Sequence, residues 1–197
     1  ERRALDGLRF LLVAGAPVPV DLLERAAALL PSATLATPYG MTEALPLTEV
    51  TLEELRESDG IGVLVGRPLN GVDMGIAPLD SQGEPAQMLI DTPETTGEIV
   101  VRCDWMRDRY DRRWATQHRA DSPSGWHRTG DVGHFDEQGR LWVEGRLAHV
   151  LLCADGPVTP VAAELIAQRA ARVPLAPPVG AAPAAPPVPV HTPHPPQ

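Results

Sequence analysis

The chain has 197 residues, enough to bury a real hydrophobic core and to make about one domain. All 17 basic residues are arginine, against 26 acidic ones, for a net charge of −9. An acidic chain without a basic run points away from nucleic acid and anionic membrane surfaces as partners. No apolar run approaches the roughly 20 residues that span a bilayer.

The opening residues, ERRALDGLRF, lack the charged-then-apolar order of a secretory signal. They start on Glu1, as expected of a sequence that begins inside a larger protein or has lost its start by processing. Cys103 and Cys153 stand far apart, with no Cys or His at metal-ligand spacing, which suits two reduced thiols in a cytoplasmic protein.

In chain order, Leu8 to Val13 is a short apolar run followed by Gly15 and Pro17, the pattern of a buried strand in a parallel sheet. Val20 to Leu30 carries apolar residues at helical spacing, with Asp21 as its expected cap and Pro31 as its stop. Ala33 to Thr37 reads as a second short strand ending at Pro38. These fifty residues therefore read as an α/β unit whose loops gather at the strand ends, where such sheets bind ligands.

From Gly60 to Arg102 glycines punctuate short runs such as Val72 to Ala77 and Glu98 to Arg102, the texture of a small antiparallel sheet or barrel. Leu69-Asn70-Gly71 supplies one turn. Asp136-Glu137-Gln138-Gly139 supplies another, between Asp131–Phe135 and Arg140–Val143, and predicts a hairpin. A helix is expected over PVAAELIAQRAAR, limited at its start by Pro160. Val173 to Gln197 holds 10 of the 22 prolines and no charged residue, so it is expected to be an extended, disordered tail.

Four segments carry candidate chemistry: VAGAPVP (Val13 to Pro19), TPYGMTE (Thr37 to Glu43), GWHRTGD (Gly125 to Asp131) and EGRLAHV (Glu144 to Val150). Gly15-Ala16-Pro17 offers a nearly side-chain-free surface for a flat base, or an ordinary strand-to-helix turn. Tyr39 can stack on a base with its hydroxyl in water, or be a half-buried loop aromatic. Gly40 lets the loop turn tightly enough to bring the Thr42 hydroxyl near an anionic oxygen. Glu43 can share Mg²⁺ with phosphates, since that ion takes one or two carboxylates plus phosphate oxygens. Asp131, beside Gly130, can accept from both hydroxyls of a ribose or serve as a turn aspartate. Arg146 reads alone as a solvated arginine. His118, His127 and His134 have no partner at an interpretable spacing and read as surface or loop histidines, and the tryptophans as packing residues.

The four segments, in this order and with GEIVV (Gly97 to Val101) between them, resemble the adenylate-forming superfamily, which activates carboxylic acids with ATP. The resemblance implies that Gly15, Ala16, Pro17, Tyr39, Gly40, Met41, Asp131 and Arg146 bind ATP or AMP. It also implies that Thr42 and Glu43 serve catalysis, with Glu43 on Mg²⁺. Residues 1–145 would then be the later part of a large AMP-binding domain, 146–172 a shortened start of the small C-terminal domain, and 173–197 the tail.

Leu147-Ala148-His149 after Arg146, YGMTEALP (Tyr39 to Pro46) and DGPVTPV (Asp155 to Val161) resemble one branch, the β-lactone synthetases of bacterial olefin biosynthesis. That branch implies a β-hydroxy fatty acid as substrate, whose own hydroxyl then displaces AMP to close a lactone; the wider superfamily also implies a fatty acid, with transfer to coenzyme A as the second step. The chain departs from the family in having no Lys and no Ser/Thr/Gly-rich phosphate loop before Val13, and Arg109 precedes Tyr110 where a Gly-Tyr pair is common. The chain alone is therefore expected not to turn over. A non-catalytic nucleotide-binding remnant and an interaction protein are the other classes the residues allow.

Overall fold

The computed structural model describes residues 7–81, 85–107, 124–161, 163, 164 and 167. Arg109, Tyr110, His118, Trp114 and the Val173–Gln197 tail lie outside them.

The first fifty residues form β1 (Phe10–Leu12), α1 (Val20–Leu29), β2 (Thr34–Met41) and β3 (Ala44–Thr51). β1 and β2 pair in parallel, with Phe10 opposite Thr34 and Leu12 opposite Ala36. α1 crosses between them and turns Leu23 into a cluster with Leu35 and Leu52. Three expectations are corrected here: β1 is not a buried strand, since Phe10 and Leu12 are exposed. Asp21 lies inside the first turn of α1, whose N-cap is Pro19 without a side-chain bond. Pro38 does not end the second strand: β2 runs on to Met41, with Pro38 opposite Glu49. β1 has stopped pairing by then, so Pro38 faces an open edge, where a missing backbone donor costs little.

A short helix, α2 (Leu52–Arg56), follows β3 directly and starts at a capping box between Thr51 and Glu54. Beyond it come β4 (Val63–Pro68), β5 (Val72–Ala77), β6 (Gly97–Cys103), β7 (His127–Phe135) and β8 (Leu141–Arg146). All the strands from β1 to β8 belong to one ladder, in the order β1-β2-β3-β4-β8-β7-β6-β5. Every pairing except β1–β2 is antiparallel. The predicted hairpin across Asp136–Gly139 is β7–β8. The turn at Leu69-Asn70-Gly71 joins β4 to β5, which do not pair with each other.

β4 is the seam between the parallel unit and the antiparallel strands. Its first half pairs with β8, as Val63 opposite Val143, and its second half pairs with β3, as Glu49 opposite Arg67. The changeover falls at Gly66, whose φ is +89°; a Cβ there would stand 1.9 Å from the Glu49 carbonyl oxygen. Only glycine permits that approach.

The ladder is strongly curled. Ala44, Leu47, Val65, Val72, Ile76, Ile99, Val101 and Leu141, drawn from β3, β4, β5, β6 and β8, share one core cluster. Tyr39, Met41 and Phe135 pack against it. A sheet whose β5 edge shares one cluster with β2 and β3 has wrapped around it, as burial of its inner face demands.

β9 (Leu151–Cys153) and β10 (Gly156–Val158) form a separate two-stranded ribbon. A helical stretch then begins at Pro160, a first-turn position where proline's missing donor is no loss. Both cysteines are free thiols.

Candidate functional site

Because β1 and β2 are parallel, their C-terminal ends lie on one edge of the sheet, the edge at which open α/β sheets bind ligands. Gly15, Ala16 and Pro17 leave β1 there as an exposed turn, with Gly15 at φ +104°. The Val13 amide still donates to the Ala36 carbonyl, so the turn runs beside the extension of β2 that carries Tyr39.

From the other side, the β7–β8 hairpin sets Asp131 opposite Arg146. Tyr39 and Asp131 are 92 residues apart, and three strands separate β2 from β7 in the ladder. In a flat sheet that spacing would be about 19 Å. Here the Tyr39 hydroxyl donates to Asp131 Oδ2 at 2.8 Å. The curl of the ladder closes the gap.

Arg146 Nε stands 3.0 Å from Asp131 Oδ1, so each carboxylate oxygen has one donor. The Asp131 amide donates to Thr129 Oγ1, which itself donates to the Ile99 carbonyl and ties this bend of β7 to β6. Between Thr129 and Asp131, Gly130 sits at φ +71°, and a Cβ placed on it would meet nothing within 4 Å. The carboxylate is therefore walled by Tyr39 and Arg146 and open on the Gly130 side.

Asp131 is only 8% exposed, and burial pushes its carboxyl above the usual carboxylate range. The Arg146 charge and the Tyr39 hydrogen bond act the other way without cancelling it, and Glu98 adds to the rise. Burial, and then the Asp131 charge, lift the Tyr39 phenol well above its ordinary value, so it remains a donor. An ionised carboxylate has about four acceptor positions. With two in use, Asp131 can still accept both hydroxyls of a vicinal diol.

The sequence-predicted residues divide accordingly. Tyr39, Asp131 and Arg146 meet. The Tyr39 hydroxyl is not in water as expected; it is spent on Asp131. Thr42, exposed, and Glu43, half-buried, form the turn between β2 and β3, just past Tyr39. Thr42 is outside the hydrogen-bonded trio, and the Glu43 carbonyl accepts the Arg107 amide at 2.9 Å. Gly40 is pressed against β3, where a Cβ would come within 2.7 Å of the Ala44 carbonyl oxygen. Met41 packs on the central core across a register shift.

His127 and His134 are not surface residues: both are buried in β7. His134 Nδ1 lies 2.7 Å from Glu144 Oε1, in a polar cluster that the sequence reading missed. Laying out the hairpin from its Asp136–Gly139 turn would have placed the two near each other on facing strands. Trp126 and Trp142 are packing residues as expected, whereas Trp105 is exposed.

Residues 1–110 match the family described as AMP-binding enzyme. The chain is 35% identical over 170 residues to an olefin beta-lactone synthetase from Xanthomonas campestris pv. campestris, covering 78% of this chain and 31% of that protein. Among solved structures, the amide bond synthetase McbA of Marinactinospora thermotolerans superposes with a TM-score of 0.66 at 29% identity, over 82% of this chain and 31% of that one. The O-succinylbenzoate Coenzyme A synthetase of Bacillus subtilis, in complex with ATP and magnesium ion, does so with a TM-score of 0.63 at 26% identity, over 80% and 30%.

The fold is thus that of the adenylate-forming enzymes. The chain belongs to the AMP-binding enzyme family. It spans about a third of the length of these relatives.

Proposed function

We propose that this chain supplies the adenosine-holding part of an ATP-dependent carboxylate-activating site. The observation that carries the reading is the Tyr39–Asp131–Arg146 trio, walled by Tyr39 and Arg146 and open at Gly130. Asp131 would accept the ribose hydroxyls, Arg146 would reach the same sugar, and the free edge of Tyr39 and the Gly15-Ala16-Pro17 backbone would flank the base. Gly40 and Met41 would support that wall from behind.

Thr42 would donate to a phosphate oxygen, and Glu43 would give a carboxylate to Mg²⁺. Among the described residues no group of three or more ligating side chains could hold a metal by itself. A single carboxylate fits an ion whose remaining ligands are phosphate oxygens and water. Bound ATP would supply the leaving pyrophosphate, and the acid would become an acyl-AMP.

The likeness to olefin β-lactone synthetases supports a fatty or β-hydroxy fatty acid as substrate, followed by lactone closure. Relatives named as coenzyme A ligases keep thioester formation as the second reading. Among the described residues no helix is long and apolar enough to cross a membrane.

Binding and turnover ask for different parts. Stacking and ribose hydrogen bonds need only the residues above, whereas charge stabilisation during adenylation uses donors this Lys-free chain lacks. Losing one well-placed donor costs about 10²–10³ in rate, and arginine's planar fork does not reproduce a compact ammonium. Calorimetry should therefore show AMP binding that weakens with 2′- and 3′-deoxy analogues, while carboxylate-dependent pyrophosphate exchange stays below detection. Equal binding of AMP and its deoxy analogues would sink the assignment of Asp131. Robust exchange would show that an arginine here supplies the charge that a lysine would.

A further inference from the structure

β8 carries one more residue than β7 between the pairs Gly133–Val143 and Val132–Gly145. That extra residue is Glu144, and bulges of this kind re-aim a side chain. Glu144 is 4% exposed, and its carboxylate has three side-chain partners. His134 Nδ1 is 2.7 Å from Oε1, and Thr96 Oγ1 donates to the same oxygen at 2.8 Å. Thr159 Oγ1 donates to Oε2 at 3.0 Å.

The third partner differs in kind. After Arg146 the chain leaves the sheet through the β9–β10 ribbon, where Leu151, Leu152 and Val158 are exposed. It returns at Thr159 and Pro160. At the return point a Cβ on Gly145 would lie 3.1 Å from Pro160 Cδ. One bulge therefore holds the returning segment twice, by the Glu144 hydrogen bond and by bare backbone against the proline ring.

His134 has carboxylates on both ring nitrogens: Glu144 on Nδ1, and Glu94 on Nε2 at 3.2 Å. Only the imidazolium has two N–H donors, so both contacts are favourable when the ring is charged. Asp136, in the β7–β8 turn, adds a further carboxylate, already bonded to Trp142 and to Arg140, whose guanidinium lines the same cavity. The Trp142 ring stacks on the imidazole at 6.4 Å. A cavity of about 160 Å³, lined also by Asp59 and Glu137, gives the ring a route for its proton.

We propose that Glu144 is a latch that fastens the chain beyond Arg146 back onto the sheet through Thr159, and that the latch loosens when His134 loses its proton. Burial works against the His134 charge, but the Glu144 hydrogen bond and the Glu144, Glu94 and Asp136 charges outweigh it and raise the pKa. Glu144 is likewise penalised by burial, and its three donors, His134 first, lower its pKa despite that. The stabilisation from His134 is complete below its ordinary value and is lost as pH rises through the raised one. That from Glu144 is present above its ordinary value and is lost as pH falls through the depressed one. Thr159 donates to Glu144 Oε2, so the segment that returns there closes over the buried carboxylate, and the His134 proton, by offsetting that buried charge, favours the closed position.

The test is amide hydrogen exchange on the full chain, comparing residues 156–161 with β6 while the His134 imidazole is titrated by NMR. Protection of 156–161, corrected for intrinsic rates, should fall roughly ten-fold as His134 deprotonates, the scale of one hydrogen bond to a charged group. T159V should lose that protection at every pH while His134 still titrates, and T159S should restore it. H134Q should remove the pH step. Protection that is flat across the His134 titration, or that survives in T159V, overturns the proposal. If H134Q does not fold, the unsubstituted chain and T159V decide alone. None of these readouts needs a nucleotide, so the latch stands or falls apart from the adenosine reading.

Discussion

Asp131 and Glu144 are buried carboxylates on neighbouring strands, each beside a cationic side chain, and the fold treats them oppositely. Glu144 has three close partners, and its pKa is pushed down. Asp131 has two, one of them Arg146, whose side chain is 62% exposed, and its pKa is pushed up. Glu144 is saturated by its own chain and stabilises the sheet in its charged form. Asp131 is left with its charge penalised by burial and with acceptor positions to spare. A carboxylate that folding has left short of donors is one that a ligand can complete.

The largest effect that would test this contrast is on stability. E144A strands a charged His134 and should cost about 3–5 kcal/mol in urea unfolding near pH 6, the usual penalty for breaking a buried pair. D131N should stay within about 1 kcal/mol of the unsubstituted chain, since it keeps an acceptor for Tyr39 and loses only a pair with an exposed arginine. Equal losses for the two would break the comparison.

Next in size is affinity. D131N should weaken AMP roughly 10–100-fold in calorimetry, because hydrogen bonds to a charged group are worth about 1.5–3 kcal/mol. E144A, where folded, should leave that affinity within a few-fold.

pH separates the two carboxylates further. The raised Asp131 pKa means that folding penalises its charge, so D131N should gain stability relative to the parent as pH rises through that value. The depressed Glu144 pKa has the opposite sign, and its contribution disappears as pH falls through it. Unfolding midpoints across the acid range would reveal both slopes. Y39F should cost about 1 kcal/mol and lift the Asp131 pKa further, readable by carboxyl NMR. R146Q is the smallest on stability, below about 1 kcal/mol.

Much of this was legible in the residues. The Asp136–Gly139 turn announced the β7–β8 hairpin, but the facing of Asp131 and Arg146 lies past its predicted end at Val143 and followed from the resemblance. The glycine-spaced runs announced β5 and β6. The meeting of Tyr39 with Asp131 followed only from the ordered motifs, since a contact made by the curl of a sheet leaves no periodic trace along the chain. The length of β2 was missed because Pro38 is tolerable only where β1 has withdrawn, which is a fact about a neighbour. Glu144 was missed for a related reason: a bulge belongs to a pair of strands, and His134 looks idle until the ladder is drawn. The capping box at Thr51 was available as Thr-x-x-Glu and went unread because the helix it starts is only five residues long.

The seam at β4 has a consequence in time. During synthesis β4 emerges long before β8, yet β8 is its partner along the Val63–Leu64 half. Until residues 141–146 leave the ribosome, β4 presents an unpaired edge, and loop closure between such distant strands is slow. Asp131 and Arg146 can face each other only after β8 has inserted between β4 and β7. The trio with Tyr39 is therefore assembled at the end of folding, and a nascent chain stalled before residue 141 would hold every other strand of the ladder but no complete adenosine site.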